Sequence, residues 1–184
     1  MKPQYAHISG YRFNFLTWYT ILIGISFLWV MPAFGIDANR VRAIAEELAV
    51  SAGQDIRIVV DASEYRPEAY SHPMGYIVIT QGLIEMFEDA DEMAFIIGHE
   101  VAHLARRHYY SNKTGMLHIS RDIYIPAELW KEIDADIYSV KILKATGYDP
   151  AISLRVLSKL MSNGMGQSST LEIRLNTLIS ILGY

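Results

Sequence analysis

From Asp37 to Ala52 apolar positions recur at helical spacing, with Val41, Ile44, Ala45 and Leu48 on one stripe and Gly53 as a stop. Two β-branched runs follow, Ile56 to Val60 and Gly75 to Thr80, and predict two strands of one small sheet. The segment between them, Asp61 to Met74, contains Pro67 and Pro73 and reads as a loop. A short helix over Gln81 to Phe87 leads into Glu88, Asp89, Asp91 and Glu92, whose carboxylates suit the positive end of a helix dipole. Met93, Ile97, Val101 and Leu104 carry that next helix to about Tyr109, with Arg106 and Arg107 in its last turn. The weak pattern from Tyr110 to Pro126 predicts a connecting loop able to contribute to a lid. Ile133, Ile137, Val140 and Lys144 share a face of a second long helix, Glu128 to Thr146, stopped by Gly147 and Pro150. Two closing helices, 151–163 and 170–182, flank a loop from Ser162 to Ser169. The elements read as α+β, mostly helical with a small sheet, and no internal repeat is visible.

Composition narrows the classes. With 184 residues, 51% of them apolar, the chain can bury one real core. Its formal charge of −4 hides an asymmetry, because residues 1–35 hold Lys2 and Arg12 and no acid. Removing these two from the 16 bases leaves 14 against 20 acids, too acidic a body for a nucleic-acid partner, which needs a basic surface. There is no cysteine, so a metal site must use nitrogen and oxygen. Lys2 and Arg12 precede an uncharged run from Phe13 to Ile36 with its apolar centre at Leu16 to Met31. Pro32 and the small residues of Ala33-Phe34-Gly35 point to a secretory signal peptide cleaved near Gly35, hence to the periplasm or cell envelope. The competing expectation is an uncleaved anchor giving membrane association through residues 13–35, since the run is about long enough to span a bilayer.

The candidate chemistry sits on the first long helix. His99-Glu100-Val101-Ala102-His103 is an H-E-x-x-H arrangement, and residues four apart on a helix share a face, so both imidazoles can reach one zinc ion. Glu100 is turned by about 100° from His99, which lets its carboxylate lie beside the metal as a base without ligating. In a chain with six His and 20 acids such a motif arises by chance with a probability on the order of 1%. A catalytic zinc takes three protein ligands and leaves one position open. A metzincin would place glycine at position 106 and histidine at position 109, where this chain has Arg106 and Tyr109. On the second long helix Glu132 and Asp136 are four apart, so one can ligate while the other supports a ligand imidazole. An exposed acidic face is the plain alternative for that segment.

H-E-x-x-H paired with the downstream Glu132-Ile133-Asp134-Ala135-Asp136, an E-x-x-A-D motif, resembles the HtpX-like and CAAX prenyl endopeptidase family, metallopeptidase family forty-eight, of gluzincin type. The resemblance spans roughly residues 40–180 and takes in Gly75 to Thr80, Gly82-Leu83, His108 and Gly147-Tyr148-Asp149-Pro150. It implies a zincin-like fold with a small sheet beside the H-E-x-x-H helix, one zinc held by His99, His103 and Glu132, and Asp136 supporting a ligand histidine. It also implies a metalloendopeptidase for protein or peptide substrates, of a short secreted branch, in envelope protein quality control. Two departures stand out: Glu68-Ala69 replaces the family's Asn-Ala, and Gln167-Ser168-Ser169 precedes Arg174 where relatives carry a histidine. That lost histidine supports a rival reading, a zinc-bound but proteolytically silent escort, while the intact Glu100 argues against it.

On the peptidase reading Glu100 takes a proton from water and returns it to the leaving amine, and the strand Gly75 to Thr80 lies at the sheet edge to pair with an extended substrate. His108, five residues after His103, is off the ligand face by about 140° and reads as a supporting residue. Arg174 either stabilises an oxyanion, anchors Asp136 or makes an ordinary surface salt bridge. His72 reads as a solvated loop residue, and His118 receives no assignment.

Overall fold

Asp37 opens the first helix by accepting the Arg40 backbone N–H at 2.7 Å, the bond an N-cap carboxylate is suited to make. That helix, α1 (Ala38–Ser51), buries the stripe Val41, Ile44, Ala45 and Leu48. The computed structural model describes residues 36–87, 89–111, 116–120 and 123–184; the leader read over residues 1–35 lies outside them. Among the described residues no helix is long and apolar enough to cross a membrane.

Three strands form a mixed sheet: β1 (Arg57–Asp61), β2 (Ala69–His72) and β3 (Tyr76–Thr80), in the order β1-β3-β2. β3 runs parallel to β1 and antiparallel to β2. This corrects two expectations. The stretch Asp61 to Met74 is not all loop, because its prolines bracket a four-residue strand and leave its backbone free to pair. The Gly75 to Thr80 run is the central strand, and its nearly continuous burial is that of a strand covered on both faces. β2 is an edge strand.

Thr80 ends β3 and caps α2 (Gln81–Met86), its hydroxyl accepting the Leu83 N–H at 3.3 Å. It also ties the sheet to the preceding loop by donating to the Arg66 carbonyl at 2.7 Å. Gly82 is where that loop crosses the helix: a Cβ there would lie 2.0 Å from the Tyr65 carbonyl oxygen, and backbone has no rotamer with which to yield. Gly82→Ala is expected to cost at least about 1–3 kcal/mol, the usual toll of overpacking, read as a lower urea midpoint at unchanged slope. A midpoint equal to that of the parent would show the loop free to move.

The helix carrying the motif, α3 (Ala90–Ala105), is capped by Asp89 and buries Met93, Ala94, Phe95, Ile97, Gly98, Val101 and Ala102. It stops four residues earlier than its periodicity suggests. Arg107 adopts a left-handed conformation (φ 55°), and a 3₁₀ turn over His108–Tyr110 follows. The stretch read as a loop contains a two-stranded hairpin, β4 (Met116–Ser120) with β5 (Ile123–Pro126), antiparallel with a register shift between His118 and Ser120. Pairing between the two strands, which the scattered polar residues conceal, is what orders them.

The second long helix, α4 (Ala127–Thr146), ends at a left-handed Gly147 as expected. Its buried face, however, is Ala135, Asp136, Ser139, Val140, Ile142 and Leu143, with Lys144 exposed. The helix is rotated because α3 offers it a gap at Gly98, where a Cβ would fall 2.5 Å from Ser139 Oγ. Ser139 instead donates to the Phe95 carbonyl at 2.9 Å. Close approach of α3 and α4 at that glycine puts the polar residues of α4 beside His99. The closing helices α5 (Ile152–Ser162) and α6 (Ser168–Leu182) complete the core through Val156, Leu157, Leu171 and Leu178.

Candidate metal centre

One turn of α3 presents His99 and His103 with their Nε2 atoms 3.1 Å apart. Glu132 arrives from α4 with one carboxylate oxygen 3.3 Å from His99 Nε2 and the other 3.4 Å from His103 Nε2. The three donor atoms lie within 4.8 Å of one another, and all three residues are partly buried. Two imidazoles and a carboxylate form the nitrogen and oxygen set that a divalent first-row metal takes.

Each donor is held from behind. His99 Nδ1 is 2.8 Å from Asp136 Oδ1, and Asp136 is only 1% exposed. Arg174 reaches Asp136 through Nε at 2.7 Å and Nη2 at 2.8 Å, and Glu132 through Nη1 at 3.1 Å. With 11% of its side chain exposed, Arg174 is no surface salt bridge. The acidic segment of α4 is no solvated face either, since Asp136 is buried and Glu132 points at the imidazoles.

The charges of this cluster test the fit. Burial, the largest influence on His99, opposes its charge, yet Asp136 and Glu132 overcome it and push its pKa up to about 10. Burial and the neighbouring His99 charge hold His103 down at about 3. Glu132 is brought down to about 2: burial works the other way, and the His99 hydrogen bond and charge outweigh it. A metal-free site therefore keeps one proton on His99 to offset two ionised carboxylates beside a single guanidinium. A divalent cation can take that proton's place, so the donor set fits a metal.

Glu100 lies alongside rather than within the donor set. Its Oε2 accepts both the Ser71 backbone N–H and the Ser71 hydroxyl at 2.8 Å. Burial chiefly raises its pKa. Ser71 is on β2, an edge strand, and its carbonyl accepts from the Tyr109 hydroxyl. Neither residue carries a sequence signal for this role, because the partners are 29 and 38 positions apart and meet only when β2 docks on α3.

Two cavities flank the donors. One, of about 340 Å³, is mainly apolar, with Leu83, Phe95, Ile96, Val156, Leu160 and Leu171 among its walls together with Glu100 and Glu132. The other, of about 520 Å³, is polar and includes Tyr70, Tyr109 and Lys131. Ala69 of the β2 edge lines both. His72 lies at the end of β2 and stacks on Tyr76, with ring centroids 4.5 Å apart. The His118 side chain is outside what the structure describes.

The model of peptidase family M48 matches residues 36–128. A curated relative, the mitochondrial metalloendopeptidase OMA1 of Arabidopsis thaliana, is 30% identical over 112 residues, covering 50% of this chain. The match takes in 23% of the relative, so the chain spans under a quarter of that protein's length. The family match contains His99, Glu100 and His103 and stops short of Glu132, whose position beside them is a matter of tertiary structure.

Proposed function

Because this chain belongs to peptidase family M48, we propose that it is a zinc-dependent endopeptidase, zincin-like in arrangement and of a short secreted branch of the HtpX-like and CAAX prenyl endopeptidase type, that hydrolyses peptide bonds in protein substrates. The observation that carries this reading is the convergence of His99, His103 and Glu132 donor atoms within 4.8 Å, with the Glu100 carboxylate beside them. When bound, zinc supplies Lewis acidity, polarising a peptide carbonyl and bringing the pKa of water near 7. His99, His103 and Glu132 would hold it, and Asp136 and Arg174 keep the first and last of these in place.

Glu100 accepts the proton of the attacking water and returns it to the departing amine. Ser71 occupies Oε2, which leaves Oε1 for that proton. The substrate backbone lies extended along the β2 edge, where main-chain pairing supplies affinity, and the apolar cavity beside Glu100 takes a side chain. Metalloendopeptidase activity, which the Arabidopsis relative is named for, comes to this chain as part of the same proposal. Lys2, Arg12 and the uncharged run after them support export, so the substrates we propose are unfolded proteins of the cell envelope.

The test is zinc content and cleavage of unfolded casein by the full chain, before and after removal of metal with a strong chelator. One zinc per chain and cleavage that vanishes on chelation and returns with zinc are expected. Full zinc occupancy without cleavage would replace this reading with the silent escort.

A further inference from the structure

His103 is backed by a second imidazole where His99 is backed by a carboxylate. His103 Nδ1 lies 3.0 Å from His108 Nδ1, so one of these nitrogens carries a proton and the other a lone pair. On the far side, His108 Nε2 lies 3.0 Å from Asp134 Oδ2. Asp134 is in turn gripped by Arg106, through Nε at 2.8 Å and a terminal nitrogen at 3.1 Å. A carboxylate in a guanidinium fork is ionised and can only accept.

Directions along this chain of contacts follow from that end. His108 donates from Nε2 to Asp134, and a neutral imidazole protonated there has only a lone pair at Nδ1. His103 must then donate from its own Nδ1, which leaves its Nε2 as a lone pair. Nε2 is the atom that faces His99 Nε2 at 3.1 Å and Glu132 at 3.4 Å. The opposite direction would put a proton on His103 Nε2, in the place where a ligand needs a free pair.

We propose that His108, oriented by Asp134 and Arg106, is a positioning residue that fixes the metal-binding tautomer of His103. The proposal rests on the reading that the site holds zinc. His108 is 4% exposed and packs edge-on against Trp130, ring centroids 6.0 Å apart, which restrains its ring. A continuous helix would have carried it off the ligand face. The left-handed Arg107 ends α3 and folds His108 back onto His103. The arrangement parallels Arg174–Asp136–His99 on the other side, lengthened by one imidazole.

Asp134→Asn tests this with almost no change of shape, because an amide NH₂ turned toward His108 Nε2 would reverse the donor order. His108→Phe removes the acceptor while keeping the packing against Trp130. Zinc affinity of both full-length variants, by competition with a chromogenic chelator, is expected to fall about 10–100-fold, the usual effect of losing a group behind a ligand. Metal-free melting temperatures report whether either variant has merely lost its fold; if His108→Phe has, Asp134→Asn decides. NMR of isotope-labelled histidines in the zinc-loaded parent is expected to show His103 protonated at Nδ1 and His108 at Nε2. Zinc affinity of Asp134→Asn within about twofold of the parent, or a proton on His108 Nδ1, would overturn the proposal while leaving a zinc-binding, casein-cleaving parent intact. A parent that binds no zinc would remove both readings.

Discussion

Glu100→Gln is expected to lower kcat/KM for casein or a fluorogenic peptide by about 10²–10⁴, the range ascribed to a positioned general acid–base group. At 25 °C that range corresponds to about 3–5 kcal/mol of transition-state stabilisation. The variant is informative because it changes so little else. Gln has the shape of Glu and its amide oxygen can still accept from Ser71, whose N–H and hydroxyl both reach Oε2 at 2.8 Å. The donor set of His99, His103 and Glu132 is untouched, so zinc content is expected to remain that of the parent. What is lost is an acceptor that can take up a proton and release it. Burial suits the native carboxyl to that task by raising its pKa toward the working pH. Zinc-loaded Glu100→Gln that cleaves as fast as the parent would take the general-base role from this residue.

Arg174→Met is expected to have the largest effect on stability. The guanidinium makes two hydrogen bonds to Asp136 and one to Glu132, all between 2.7 and 3.1 Å, and among the described residues it is the one arginine that bonds to both carboxylates. Removing it leaves the 1% exposed Asp136 with His99 as its one side-chain partner among the described residues. Taking one partner from a buried pair costs about 3–5 kcal/mol, a large share of the roughly 5–15 kcal/mol that holds a domain folded. Thermal unfolding of the chelated protein is the measurement. Zinc should restore part of the loss, since a ligand that binds only the folded state stabilises it in proportion to the logarithm of its concentration. An unchanged melting temperature would mean that Asp136 finds another partner or a proton.

The same cluster sets an acid limit. Although burial pushes the Asp136 pKa up, the hydrogen bonds from His99 and Arg174 prevail and hold it below the ordinary value. A depressed carboxyl contributes stability above its unfolded pKa, and that contribution is lost as pH falls through the folded value. Arg174→Met removes part of the depression, so the variant's acid unfolding should begin at a higher pH than the parent's.

Much of this was legible in the linear sequence where the signal is local. The stripe Val41, Ile44, Ala45 and Leu48 shows α1 because helical burial repeats every three to four residues. His99 and His103 announce a shared ligand face for the same reason, and Gly147 marks the end of α4 because it takes a left-handed conformation there (φ 85°). Chain order also carried Glu132, Asp136 and Arg174 as candidates, through a resemblance of motifs.

What depended on distant partners was decided only by tertiary structure. β2 is four residues beside a proline, and nothing in Ala69–His72 says strand until β3 is there to pair with it. The place of β2 at an edge beside α3, on which the proposed substrate pairing rests, followed from that pairing. Rotation of α4 was set by the gap at Gly98, which no periodicity within α4 can encode. Ser71 reached Glu100, and His108 turned back to His103, through a docked strand and a left-handed turn. The sequence by itself determined which residues are candidates to bind a metal and move a proton, since side-chain type and helical spacing are local properties. The folded chain decided which atoms of those residues face one another and which groups hold them, because such contacts join positions separated by tens of residues.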